Sequence, residues 1–234
     1  MIWLVGVPSG CLDLISLKSM LLIRNCKFCF YSSSPLVSNM LRQCASAVLV
    51  KNVLHDSLDN ILYMMLCAKG IIVNLCSDSL FLHSGLRETS FYLKMLSLPF
   101  SVVPSVGVLD VAFSYLGYEF VSAWNKTILI TRLCGRKSSK LLCTLATSSL
   151  MPMAVVYLSV RLISSISSIF AQTYKMRCPV VCVYRASWYS EVYLLTRLNK
   201  LNNDLKQANA SQVILLIIGK SLLNTKHIGT KLYS

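Results

Sequence analysis

Cys26-Lys27-Phe28-Cys29 sets two thiols at CxxC spacing. Thiolates so placed can share one metal ion or close one disulfide. A structural zinc site needs two further ligands, usually a second close pair. The nearest are Cys44 and His55, at unconventional spacing, while Cys178 and Cys182 are separated by three residues instead of two. No βαβ setting of the kind a redox CxxC needs is legible around the pair. Cys26 and Cys29 are therefore the only metal-ligand candidates, and their spacing reads as chance, with no metal or cofactor expected. The chain has ten cysteines, most of them among apolar neighbours, where free cysteine behaves as a small buried hydrophobe.

Other groupings carry less chemistry. His55-Asp56-Ser57 puts three triad residue types side by side, yet adjacent residues at a helix start point in different directions. Helix capping accounts for Asp56 and Ser57 better. Gly219-Lys220-Ser221 ends like a P-loop, but Ile214 stands where the first glycine belongs. No GxGxxG or GxSxG occurs. Three histidines and nine acidic residues leave few general acids or bases. No catalytic residue is assigned, and the protein reads as non-catalytic.

The composition points to an apolar environment. Hydrophobic residues make up 55%, mean hydropathy is +0.60, and charged residues are 14%, against about 25% in an ordinary soluble domain. Net charge is +14, from scarce acids more than abundant bases. Arg132, Arg136, Lys137 and Lys140 form the densest basic cluster and read as charge flanking a membrane segment, not as a nucleic-acid surface. No protein partner can be named. The opening MIWLVGVPSG is apolar without a basic n-region, so it does not read as a cleaved signal peptide.

Location follows from two segments. Residues 141–160, LLCTLATSSLMPMAVVYLSV, contain no charge, and about 20 apolar residues suffice to cross a bilayer. They are the first candidate transmembrane helix, despite Pro152 and several hydroxyl residues. Residues 98–118 are the second, weakened by Pro99, Pro104, Gly107 and Asp110. A bilayer is the expected partner and a membrane the expected location. Asn125 and Asn209 open the two NxS/T sequons.

Elsewhere, residues 55–70 read as an amphipathic helix ending at Gly70, and 190–210 as a second, with Leu194, Leu198, Leu201 and Leu205 in a heptad seam. CPVVCVY at 178–184 is β-branched and reads as a short strand. VILLIIG at 213–219 is too short to span a bilayer, and 31–38 reads as a loop. The expected fold is mainly α, with one or two membrane helices and poorly ordered connections. Residues 1–234 form one unit with no legible boundary. The expected function is that of a membrane-associated, non-catalytic protein. The alternative is an open-reading-frame product without selected function, suggested by 40 Leu and 32 Ser, both residues with many codons.

Overall fold

A computed structural model describes residues 1–8, 10–32, 48–52, 70–77, 79–83, 86–117, 119, 126–133, 152–159, 163–208, 213–220 and 222. The chain divides into two compact units: Met1–Asp110 with Ser187–Tyr189, and Val111–Ala186 with Ser190–Ser234.

The first unit is built on a five-stranded sheet of order β3-β2-β4-β1-β5. Its strands are β1 (Ile2–Val7), β2 (Phe28–Ser32), β3 (Val48–Asn52), β4 (Ile72–Ser77) and β5 (Phe100–Val103). Every pairing is parallel. Parallel strands are covered on both faces, so they read as continuous apolar runs without alternation. β1 shows this: Ile2, Leu4, Val5 and Val7 are all buried. One face packs Val5, Val7, Val73 and Val103 against Ile23, and the other packs Ile2, Leu4, Phe30 and Ile72 against Leu93.

Helices cover those faces, and local chemistry fixes their ends. α1 (Leu17–Asn25) starts where Ser16 Oγ accepts the Ser19 amide at 3.1 Å, an N-cap. After α2 (Leu80–His83), α3 (Leu86–Met95) is anchored by the fully buried Leu93. It ends with Ser97 at φ 54° and the Leu98 amide donating to Leu93 O at 2.9 Å. That is a Schellman-type stop with serine in the usual glycine position. α4 (Val108–Leu116) opens with the Gly107 amide donating to the Asp110 carboxylate at 2.9 Å, half of a capping box, and closes on Gly117 at φ 60°.

The second unit carries a five-stranded sheet of order β6-β7-β10-β8-β9. Its strands are β6 (Ile128–Leu133), β7 (Met153–Ser159), β8 (Pro179–Tyr184), β9 (Val192–Arg197) and β10 (Val213–Ile218). β6 and β7 are parallel and the other pairings antiparallel. Its core joins Ala154, Val156, Val180 and Leu216 to Phe170 on α5 (Ile163–Tyr174) and Leu201 on α6 (Leu201–Gln207). The Tyr174 hydroxyl donates to Pro152 O at 2.5 Å, tying α5 to the start of β7.

This architecture corrects the mainly α membrane fold. The protein is α/β, and among the described residues no helix is long and apolar enough to cross a membrane. In residues 141–160, the described part is β7, whose Met153, Ala154, Val155 and Val156 are buried within protein. Of residues 98–118, the described part, 98–117, is a strand, a loop and a helix, β5 to α4, broken at Pro104 and Gly107. The expected helix at 190–210 is instead strand β9 followed by α6. Leu194, Leu198, Leu201 and Leu205 still share one core, reached from a strand, a turn and a short helix. β8 occupies the β-branched run at 179–184, and β10 the apolar stretch after it. The helix expected at 55–70, apart from Gly70, and both sequon asparagines lie outside the described residues.

Candidate active site

In open α/β sheets, ligands bind beyond the carboxyl ends of parallel strands, where helix N-termini and loop amides collect. In the first unit, three such ends come together. Gly6 is level with Cys76 and Val7 with Ser77 across β1 and β4, while Val5 is level with Val103 across β1 and β5. The loops leaving β1 and β5 therefore emerge side by side.

Gly6 marks how close they come. A Cβ there would lie 2.6 Å from Ser105 Cβ, 3.0 Å from Ser105 N and 3.2 Å from Leu80 Cδ1. Only glycine lets the β5–α4 loop and the start of α2 reach the end of β1. Gly10, in the β1–α1 loop, is tighter still. Its Cβ would lie 2.4 Å from Trp188 Cδ1 and 2.5 Å from the Ser187 carbonyl carbon. Pro8 and Gly107 are buried along this edge, Ser105 is half-buried, and Ser105 Oγ donates to Val106 O at 3.1 Å.

The chemistry of the edge follows from its residue types. Among described residues 6–8, 76–77 and 104–107, none carries a charge. The Cys76 thiol is pushed up to about 11 by burial, so it stays protonated at neutral pH. An edge of main-chain groups, small side chains and apolar surface holds a ligand by shape and backbone hydrogen bonds. None of these described residues supplies an acid or base.

Cys26 and Cys29 lie away from this edge. Cys26 caps the end of α1 and Cys29 sits on β2; both are buried in one apolar cluster. Cys26 Sγ donates to Ile23 O at 3.2 Å. Donation of its own proton to Cys26, then burial, drives the Cys29 thiol far above its ordinary value. Among the described residues no group of three His, Cys, Asp or Glu could hold a metal ion. Gly219 ends β10, its amide donating to Pro179 O at 3.4 Å, and Lys220 is exposed beside it. His55, Asp56 and Ser57 lie outside the described residues.

Residues 6–10 and 104–107 were not singled out from sequence as a site. The signal was present: an apolar run closing on Gly6, then Pro8 and Gly10, then a serine-capped helix. That is strand, glycine-bearing loop and helix, the setting in which a phosphate- or nucleotide-binding turn forms.

A glycine-bearing loop at the carboxyl edge of a parallel sheet is a common setting for a ligand site. The chain belongs to the tetrapyrrole (corrin/porphyrin) methylases, whose sequence profile matches residues 1–202. A precorrin-4 C(11)-methyltransferase from Sinorhizobium sp. is 26% identical over 227 residues, spanning 93% of this chain and 88% of that protein. The fold matches a cobalamin biosynthetic enzyme, cobalt precorrin-4 methyltransferase, with a TM-score of 0.81 at 21% identity, over 94% of this chain and 95% of that one. It also matches uroporphyrin-III C-methyltransferase from Thermus thermophilus complexed with S-adenosylhomocysteine, with a TM-score of 0.74 at 20% identity, over 95% and 98% of the two chains.

Membership in a family of methylases overturns the non-catalytic reading and, with it, the reading as a frame without selected function. The bilayer partner and membrane location are corrected likewise: the apolar residues cover sheets in a methylase fold.

Proposed function

We propose that the protein is an S-adenosylmethionine-dependent methyltransferase that methylates a precorrin, at the carbon that its relatives' names specify, C11 of precorrin-4. The observation that carries this reading is the end-to-end match to precorrin-4 C(11)-methyltransferases, 93% of this chain against 88% of the Sinorhizobium protein. The close approach of the chain at Gly6 and Gly10 supports it, because main chain brought so near can orient a bound donor.

S-adenosylmethionine supplies an electrophilic methyl group on a sulfonium. The β1–α1 and β5–α4 loops would hold it: Gly6 and Gly10 let the backbone come close, Ser105 and the loop amides offer hydrogen bonds, and Pro8 and Val106 offer apolar contact. Confining donor and acceptor in one orientation converts a bimolecular step into an effectively unimolecular one. The acidic side chains of a precorrin also suit a chain of net charge +14, which draws a polyanion by long-range attraction.

The test is transfer of labelled methyl from S-adenosylmethionine to precorrin-4, with product analysis by mass and NMR. One methyl added at C11 is expected. Methylation of uroporphyrinogen III alone would retain the donor site and replace the substrate. No transfer to any tetrapyrrole by folded protein would overturn the reading.

A further inference from the structure

Ser187–Tyr189, in the turn between β8 and β9, belong by their contacts with the first unit, although both flanking strands lie in the second. Among them Ser187 holds φ of 67°. A non-glycine residue there is strained, and such strain persists only where surrounding packing enforces it. The packing is visible at Gly10. The Trp188 indole and the Ser187 backbone press so closely on the β1–α1 loop that a Cβ on Gly10 would collide with both. Trp188 itself is half-buried, whereas its neighbour Tyr189 is 97% exposed. A bulky aromatic seated on a glycine, held by a strained turn, adds to Pro8 and the short 3-10 turn at Leu12–Leu14 in fixing the shape of the loop.

We propose that Trp188, presented by the strained turn at Ser187, is a positioning residue of the donor site, clamping the β1–α1 loop at Gly10 in the conformation that receives the nucleoside part of the donor. The inference rests on the assignment of this edge to S-adenosylmethionine. Removing the indole frees the loop, so each binding event must order it again, and affinity falls by that cost.

The experiment is calorimetric titration of the full chain with S-adenosylhomocysteine, unaltered and as Trp188→Ala, Trp188→Phe and Tyr189→Ala. Trp188→Ala is expected to weaken binding by about tenfold; Trp188→Phe should recover most of it, and Tyr189→Ala should match the unaltered chain. Should Trp188→Ala fail to fold, Trp188→Leu carries the same test. A purely structural role would not produce the second readout: a change in tryptophan emission on ligand addition that disappears in Trp188→Phe. Unchanged affinity in Trp188→Ala, or equal loss in Tyr189→Ala, overturns the inference while leaving the donor site standing. No binding by the unaltered chain overturns the donor site and this inference together.

Discussion

The two sheets are alike in size and apolar content and differ in strand direction. In the parallel sheet every strand ends on the same edge, and that edge carries Gly6, Pro8, Gly10, Pro104, Ser105 and Gly107 in its loops. In the second sheet, three of four pairings are antiparallel, so strand ends fall on both edges. Its inner strands are sealed: Ala154, Val156, Val180, Leu216 and Ile217 are fully buried. Apolar content alone therefore reports burial, while strand direction decides where loops, and hence chemistry, collect. On the proposed reading, stability concentrates in the second sheet and ligand binding at the first sheet's edge.

Substitutions can break that distinction. The largest effect is expected for Phe170→Ala in the second core, where Phe170 is 1% exposed. It should cost about 3–5 kcal/mol in urea unfolding, with S-adenosylhomocysteine affinity retained by whatever remains folded. Gly6→Val should cost about 1–3 kcal/mol from forced displacement of Ser105, and should abolish measurable ligand binding even where the protein stays folded. Full affinity in Gly6→Val would dissolve the contrast.

A pH series probes both regions at once. Burial pushes the Cys76 thiol, in the first unit, and the Cys178 thiol, in the second, up to about 11 from an ordinary 9.0. The folded state thus keeps a proton that the unfolded chain releases, so unfolding gains as pH rises. Unfolding free energy should be level below pH 9.0 and fall between there and about 11. Cys76→Ala and Cys178→Ala should each remove part of the fall, as read by denaturant midpoints at stepped pH.

The smallest effect concerns Tyr193. Its ring stacks on Tyr115 at 3.8 Å, and its hydroxyl is buried without a hydrogen-bond partner among the described residues. Tyr193→Phe removes that unmet group and should raise stability by up to about 1 kcal/mol, with no change in ligand affinity. A loss of stability would show that the hydroxyl is satisfied after all.

Parts of this design were legible in the sequence, unevenly. The run at 178–184 is β-branched and bounded by Pro179, and β8 lies there, because short length and branching distinguish strand from helix. Val155 and Val156 are equally strand-like, but without charges from 141 to 160 the run passed for a bilayer span. A strand covered on both faces and a lipid-facing helix present the same hydropathy. In 98–118, the residues that weakened the span were the boundaries: Pro104 and Gly107 separate β5 from α4. The leucines at 194, 198, 201 and 205 announced a shared core correctly in kind, but the turn at Leu198–Lys200 was not read. The site escaped because its working groups are backbone amides and missing side chains at Gly6 and Gly10. A search for titratable clusters cannot find those, and Cys26 and Cys29 drew attention to an apolar interior instead.

The central claim is that the donor ligand sits on the carboxyl edge of the parallel sheet. Hydrogen–deuterium exchange of the full chain with and without S-adenosylhomocysteine tests it most directly. Protection centred on residues 6–11 and 104–107, with the strands of the second sheet unchanged, is the expected result; protection confined to β6–β10, or none at saturating ligand, would contradict it.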